Sequence, residues 1–342
     1  MGLGLGARLA RLAHLARLAR LARRVRPHCP RARRHPSVGS VLVYHHTSGV
    51  QLPVTLPVTF HTRSGWTEFT PRFYGQPSTL SRIMSSGTAQ PLSPVEAAKR
   101  DAAYAAIDRH VRPDMQMVGI GSGSTIVYGV QRIAAKTQAG DLGPHIKYVP
   151  TSFQAKKLIT QHGLPLGSLD EGLRLDVTID GCDEADEELT LIKGGGGCLA
   201  QEKVVAHFSR EFVVIADYRK RSPRLGTAWA YVPIEVLPLA YVPVKMIIEE
   251  RLGGSAVLRM AQAKAGPVVT DNSNFILDWH FRDSKVFEGG PETTDRVKWS
   301  LVNQQLLAIP GLVETGIFIN MARQAYFGQA DGSVQELAAK PV

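Results

Sequence analysis

Residues 173–203 read LRLDVTIDGCDEADEELTLIKGGGGCLAQEK, and the order of residue types in this run decides the fold. The segment from Leu173 to Ile179 alternates side-chain polarity and is β-branched at its end, so it reads as a strand that stops at Asp180. Four glycines, Gly194 to Gly197, then open a helix running roughly from Cys198 to Ser209. A strand, a charged turn, a glycine run and a helix together describe α/β architecture. In open α/β sheets ligands sit outside the carboxyl ends of strands, which is where Asp180 and Asp183 fall. A glycine run loses more chain entropy on folding than any other, so a fold keeps one where backbone must approach something closely. The charges on both sides make that something a ligand.

The residues around the run sharpen this reading. Acidic stretches usually form a solvated face, and calcium loops place oxygen ligands at alternate positions, whereas Asp180, Asp183 and Asp186 are three apart. No His or Cys pattern at zinc spacing accompanies them, so no metal is expected. On the helix, Glu202 has Cys198 one turn before it and Val205 and Ala206 one turn after, so it is a carboxylate on an apolar face. Lys203, His207 and Arg210 form a separate polar stripe. An ion pair between Glu202 and Lys203 fails on geometry, because adjacent helical residues diverge by about 100°. Burial should raise the pKa of Glu202 toward the working range of a general base, with Lys193 opposing.

A second glycine turn lies upstream at Gly119-Ile120-Gly121-Ser122-Gly123-Ser124-Thr125, with an apolar helix following from Ile126. Strand, glycine turn and helix N-terminus make a phosphate cradle. It is not a dinucleotide fingerprint, since Ile126 stands where a third glycine belongs, and no Lys-Ser or Lys-Thr completes a Walker loop. The hydroxyls of Ser122, Ser124 and Thr125 suit a small phosphomonoester.

Working outward, helix 94–109 precedes strand 117–121, helix 124–138, strand 146–150, helix 152–162, strand 173–180, helix 198–209 and strand 212–216. This alternation predicts a Rossmann-like parallel sheet flanked by helices. From about Tyr231 the pattern changes: Pro233, Pro238 and Pro243 precede helix 244–252 and strands near 256–260, 267–271 and 274–279. A polar insertion, Phe281 to Asp295, comes before helix 297–308 and strand 312–318. The expected division is a catalytic domain of residues 91–230 plus 319–342 and a smaller inserted α+β domain of residues 231–318.

Residues 1–90 form a basic, low-complexity leader. Through residue 91 there are thirteen arginines, no lysine and one acid, Glu68, which is a net +12. The whole chain is +10, so the remainder is −2, and the basic pI argues nothing for nucleic-acid binding by the folded part. Arginine or histidine recurs every third residue from Arg8 to Arg23. That resembles a mitochondrial transit peptide, but a period of three drifts about 60° per repeat on a helix. The leader is expected to be mostly disordered, as a targeting signal or a gene-model extension. Three cysteines, Cys29, Cys182 and Cys198, fit a reducing compartment. The expected location is cytoplasmic, with mitochondria as the alternative. No apolar run reaches membrane-spanning length, so no membrane partner is expected.

From about Pro91 to Val342 the chain resembles ribose-5-phosphate isomerase of the A type, in its animal form. The resemblance rests on the glycine turn at 119–125 and on Pro150-Thr151-Ser152-Phe153-Gln154-Ala155, Ile179-Asp180-Gly181-Cys182-Asp183-Glu184 and Ile192-Lys193-Gly194-Gly195-Gly196-Gly197-Cys198. It continues through Val214-Ile215-Ala216-Asp217, Val232-Pro233-Ile234-Glu235-Val236, Val268-Val269-Thr270-Asp271-Asn272 and Gly311-Leu312-Val313-Glu314-Thr315-Gly316. Cys182 departs from the family's usual alanine between the two aspartates.

The resemblance implies cofactor-free interconversion of ribose 5-phosphate and ribulose 5-phosphate through an enediolate, in the non-oxidative pentose phosphate pathway. It implies Glu202 as general base, Lys193 stabilising developing negative charge, and Asp180 and Asp183 holding hydroxyls and assisting ring opening. Gly181, Cys182, Gly194, Gly195 and Gly196 would line the substrate. Ser122, Gly123, Ser124 and Thr125 would bind its phosphate, helped by Lys220 and Lys99. A homodimer or homotetramer is the expected assembly. Two other classes share these parts: a coenzyme A transferase with Glu202 as covalent nucleophile, and a non-catalytic sugar-phosphate sensor.

Overall fold

The computed structural model describes residues 39–47, 50–58, 92–172, 174–284 and 295–340, and the chain divides into two compact units, 1–86 and 87–342. In the first unit, β1 (Gly39–Thr47) and β2 (Val50–Val58) pair antiparallel, from Gly39 opposite Val58 to Thr47 opposite Val50. Both strands lie within the leader that the sequence reading expects to be mostly disordered. Val41, Val43, Val50, Val54, Thr55 and Val58 supply the β-branched preference for the pleated state. The arginine repeat and the rest of the leader lie outside the described residues.

The second unit opens with α1 (Pro94–His110), started by Ser93, whose hydroxyl accepts from Glu96 N, and by Pro94 in the first turn. β3 (Met117–Ile120), α2 (Ser124–Ala139), β4 (Lys147–Pro150) and α3 (Phe153–Gln161) follow. Next come β5 (Val177–Asp180), two short strands β6 (Glu184–Ala185) and β7 (Leu191–Ile192), α4 (Leu199–His207) and β8 (Phe212–Asp217). The chain continues through β9 (Tyr231–Val236), α5 (Tyr241–Arg251), β10 (Gly253–Leu258), β11 (Phe275–Ser284) and α6 (Asp295–Leu307). It closes with β12 (Leu312–Thr315), β13 (Ile317–Phe318), β14 (Gln324–Gly328) and β15 (Val334–Ala338).

The main sheet has the order β15-β14-β8-β5-β3-β4. Five of its strands are parallel, as in a Rossmann-like sheet, and β15 departs from the expected all-parallel pattern. The cause is local: the short connection after Gly328 turns at Gly332, with φ +87°, and leaves no room for a crossover helix. Helices α1 and α2 pack side by side and cover one face. Val177 and Ile179 of β5 join their core. Residues of a strand alternate faces, so Thr178 and Asp180 point the other way. There Thr178 Oγ1 bonds Ser209 Oγ, just past α4. The strand period therefore turns Asp180 toward the helix that carries Glu202.

A second sheet, β10-β11-β9-β12, has its own core around Trp279, Trp299, Ile234 and Val244. Here the sequence reading needs four corrections. Helix α5 starts at Tyr241 instead of residue 244, because Pro243 sits in the first turn, where a missing N–H costs no helical bond. Residues 267–271 form no strand beyond a bridge at Pro267, since Thr270 to Asn274 wrap around the buried carboxylate of Glu235. The strand expected over 312–318 is two strands, broken at Gly316, whose N–H donates to Pro233 O. β11 also runs on to Ser284, into the expected polar insertion, whose residues 285–294 lie outside the described ones. β13 leaves the second sheet to pair with β7, giving a small sheet β13-β7-β6 beside the glycine run.

Candidate active site

Asp180 ends β5 and is fully buried. Its Oδ1 accepts from Ser122 N at 3.0 Å and Gly181 N at 2.7 Å, so the glycine turn after β3 and the turn after β5 meet at this carboxylate. Gly121 makes the meeting possible: a Cβ there would lie 1.9 Å from Asp180 Oδ1.

Lys193 follows β7 directly, and its backbone N–H is tied to Gly316 O at 2.8 Å. The β6–β7 hairpin thus sends a lysine side chain into the interior, where it is 2% exposed. Its Nζ donates to Gly181 O at 2.5 Å and lies 3.0 Å from Asp180 Oδ2 and 3.3 Å from Glu202 Oε1. Burial alone would lower the lysine's pKa. The charges of Asp180 and Glu202 outweigh it and hold the ammonium above its ordinary range, so it stays charged.

Glu202 stands in the first turn of α4, 5% exposed, and its Oε2 has no hydrogen-bond partner among the described residues. Burial, and then the charge of Asp180, push its carboxyl up to about 8 against the pull of Lys193. The apolar-face argument located this group, but the polar-stripe assignment of its neighbour is corrected. Lys203 is nearly buried and donates to Glu314 Oε1 at 2.7 Å and to Thr315 O at 2.6 Å on β12. It fastens α4 to the second sheet, and burial lowers its pKa.

Asp183 accepts from Gly195 N at 2.6 Å, and burial raises its carboxyl. Asp186 accepts from Glu188 N and Thr190 N and so serves the β6–β7 turn. The three aspartates do not converge. Cys182 and Cys198 both have thiols pushed up to about 12, chiefly by burial. They therefore stay protonated at neutral pH and act as small packing groups.

A cavity of about 290 Å³ opens in front of these groups, and its wall includes Asp183, Lys193, Glu202, Gly181, Cys182 and Gly194 to Gly196. Its far end is formed by Ser122, Gly123, Ser124, Thr125, Lys99 and Lys220. Every site residue expected from the sequence lines it, except Asp180, which lies directly behind. Helix α2 begins at this end with Gly123, φ +102°, and no side chain caps it. Its first N–H groups and the helix dipole are therefore available to an anion.

The individual ligands differ from expectation in one respect. The Ser122 hydroxyl is already engaged with Thr151 Oγ1 at 2.9 Å and Ser152 Oγ at 2.6 Å. It braces the turn, leaving Ser124 and Thr125 as the hydroxyl donors. Lys99 pairs with Glu96 at 2.7 Å, and Lys220 lies over the Trp229 ring at 5.0 Å.

Sequence reasoning missed Gln154, Arg219 and Arg259. Gln154 accepts from Gly123 N at 2.8 Å and fixes the cradle, and the motif Pro150–Ala155 contained it. Arg219 lines the cavity while chelating Asp217 at 2.6 and 3.2 Å. Arg259 contacts the glycine run from the second sheet, and no local pattern marks it. A larger depression of about 720 Å³ lies near Arg210, Arg296, Arg323 and Lys340, away from all these groups.

Comparison with known proteins gives a consistent picture. The family profile of ribose 5-phosphate isomerase A (phosphoriboisomerase A) matches residues 147–332. A human ribose-5-phosphate isomerase is 54% identical over 245 residues, which are 71% of this chain and 74% of that protein. A probable ribose 5-phosphate isomerase of Caenorhabditis elegans is 45% identical over 75% of this chain and 97% of its own. Among solved structures, a D-ribose-5-phosphate isomerase in complex with phospho-erythronic acid aligns with TM-score 0.64 and 37% identity, covering 71% of this chain and 99% of that one. The Plasmodium falciparum ribose 5-phosphate isomerase aligns with TM-score 0.63 and 31% identity over 72% of this chain and all of that one.

Proposed function

Because this chain belongs to the ribose 5-phosphate isomerase A family, we propose that Glu202, Lys193, Asp180 and Asp183 carry its reaction in the cavity just described. The activity is the aldose–ketose isomerisation of ribose 5-phosphate and ribulose 5-phosphate in the pentose phosphate pathway. Coenzyme A transfer and sugar sensing drop out with that assignment.

In the open-chain aldose, the Glu202 carboxylate removes the C2 proton, and the electrons move through C1 onto the carbonyl oxygen. The result is a 1,2-enediolate. A proton passes from O2 to O1, and the Glu202 carboxyl returns its own proton to C1, leaving the ketone at C2. The Lys193 ammonium faces the oxygens on which negative charge grows. Asp180 keeps that ammonium in place, while Asp183 holds sugar hydroxyls and moves a proton during ring opening. The phosphate sits on the N-terminus of α2, with Ser124 and Thr125 as hydroxyl donors and Lys99 and Lys220 as counter-charges.

One observation carries this reading: a buried carboxyl, raised to about 8, lies 3.3 Å from a buried ammonium at the wall of a cavity that ends in an uncapped helix N-terminus. The analogue in the solved relative, phospho-erythronic acid, supports it. Its carboxylate is planar and anionic, as an enediolate is.

Lys193→Ala tests the electrostatic part. The enediolate carries charge that the sugar lacks, so kcat should fall by about 10²-fold or more while KM changes little. A rise confined to KM would make Lys193 a ground-state ligand instead. A homodimer or homotetramer and a cytoplasmic location complete the proposal. Light scattering of the purified chain and imaging of a tagged one test them.

A further inference from the structure

The glycine run has no side chains with which to hold its own shape. Gly194 (φ +98°) and Gly197 (φ +82°) adopt the left-handed region, and glycine peptides there reorient at little steric cost. Catalysis nevertheless needs this backbone fixed, because Lys193 precedes it and the Gly195 amide holds Asp183. Arg259, one residue past β10, hydrogen-bonds to the run from the side of the second sheet. Arg259 Nη1 donates to Gly194 O at 3.0 Å and to Gly195 O at 3.2 Å. The same guanidinium is gripped by Asp278, with Nε at 2.8 Å from Oδ2 and Nη2 at 2.5 Å from Oδ1. Both side chains are largely buried, at 15% and 14% exposure.

The direction of these bonds is informative. Arg259 does not line the cavity, whereas Gly194, Gly195 and Gly196 do. The two carbonyls therefore face away from the substrate space. In a trans peptide the N–H points opposite to the C=O of the same unit, and no peptide here is cis. Turning Gly194 O outward sends Gly195 N–H to Asp183, as observed. Turning Gly195 O outward sends Gly196 N–H toward the cavity that Gly196 lines.

We propose that Arg259 is a positioning residue for the isomerisation, clamping the glycine run from the second sheet so that the amides of Gly195 and Gly196 stay aimed at Asp183 and at the substrate oxygens. It touches no reacting atom. Asp278 holds the fork in its plane, and the charge on the guanidinium strengthens both carbonyl bonds. The proposal rests on the active-site reading above, which it extends to a residue outside the cavity.

Arg259→Lys keeps the charge but cannot span two carbonyls and Asp278 at once. Hydrogen–deuterium exchange of the full chain should show the Gly195 amide, which is bonded to Asp183, exchanging about 10-fold faster or more, since a local opening is eased. In the same variant kcat should fall by about 10- to 10²-fold, the size expected for a misplacement near 1 Å, with KM within about threefold. The paired variant Arg259→Gln with Asp278→Asn avoids an orphaned buried charge and should behave likewise. Unchanged exchange, or faster exchange with wild-type kcat, or an effect confined to KM, would overturn the proposal. Exchange reads the clamp without reference to turnover, so failure of the catalytic reading would show separately, as wild-type turnover in Lys193→Ala.

Discussion

At the scale of single residues, the site works by opposing two effects on one carboxyl. Burial and Asp180 raise Glu202 to about 8, while Lys193 keeps a cation beside it. A base must be ionised to accept a proton. The free enzyme's kcat/KM should therefore rise by about tenfold per pH unit below about 8 and level off above it. A profile flat from about pH 6 to 9 would remove Glu202 from the role. The same shift affects stability with the opposite sign. Between the ordinary value of 4.5 and about 8 the folded protein holds a proton that the unfolded chain has released, so stability falls as pH rises through that window. Glu202→Gln should flatten that slope in thermal melts.

At the scale of elements, the site is a meeting of turns, and crowding sets its tolerance. Gly121→Ala puts a methyl group 1.9 Å from Asp180 Oδ1. Asp180 must then move, losing the amides of Ser122 and Gly181 and its place beside Lys193. We expect kcat to fall by about 10²-fold and the fold to lose about 1–3 kcal/mol, as overpacking does; calorimetry and initial rates measure both. A variant with normal rates would mean that Asp180 is not needed where it stands. These elements differ in how far the sequence revealed them. The strand ending at Asp180, the helix carrying Glu202 and both glycine turns were legible, because periodicity and glycine clustering are local. The roles of Lys203, Ser122 and Arg259 were not, because partners distant in the chain set them: Glu314, Thr151 with Ser152, and the carbonyls of Gly194 and Gly195. The missing strand at 267–271 has the same origin, a turn drawn around Glu235.

At the scale of the whole molecule, the site groups identified among the described residues all lie within 92–340. Removing residues 1–90 should leave a soluble enzyme of unchanged kcat, with net charge falling from +10 to −2. It should also abolish salt-sensitive binding to heparin or other polyanions, which depends on the leader's arginines releasing counterions. An inactive truncated protein would show that the leader belongs to the fold. The central claim concerns one proton on the full-length chain. Ribose 5-phosphate deuterated at C2 should exchange its label with solvent and isomerise in the wild type. In Glu202→Gln both processes should slow together by at least about 10²-fold, the usual general-base contribution, with substrate still bound. Loss of the C2 label at the wild-type rate in that variant would contradict the account.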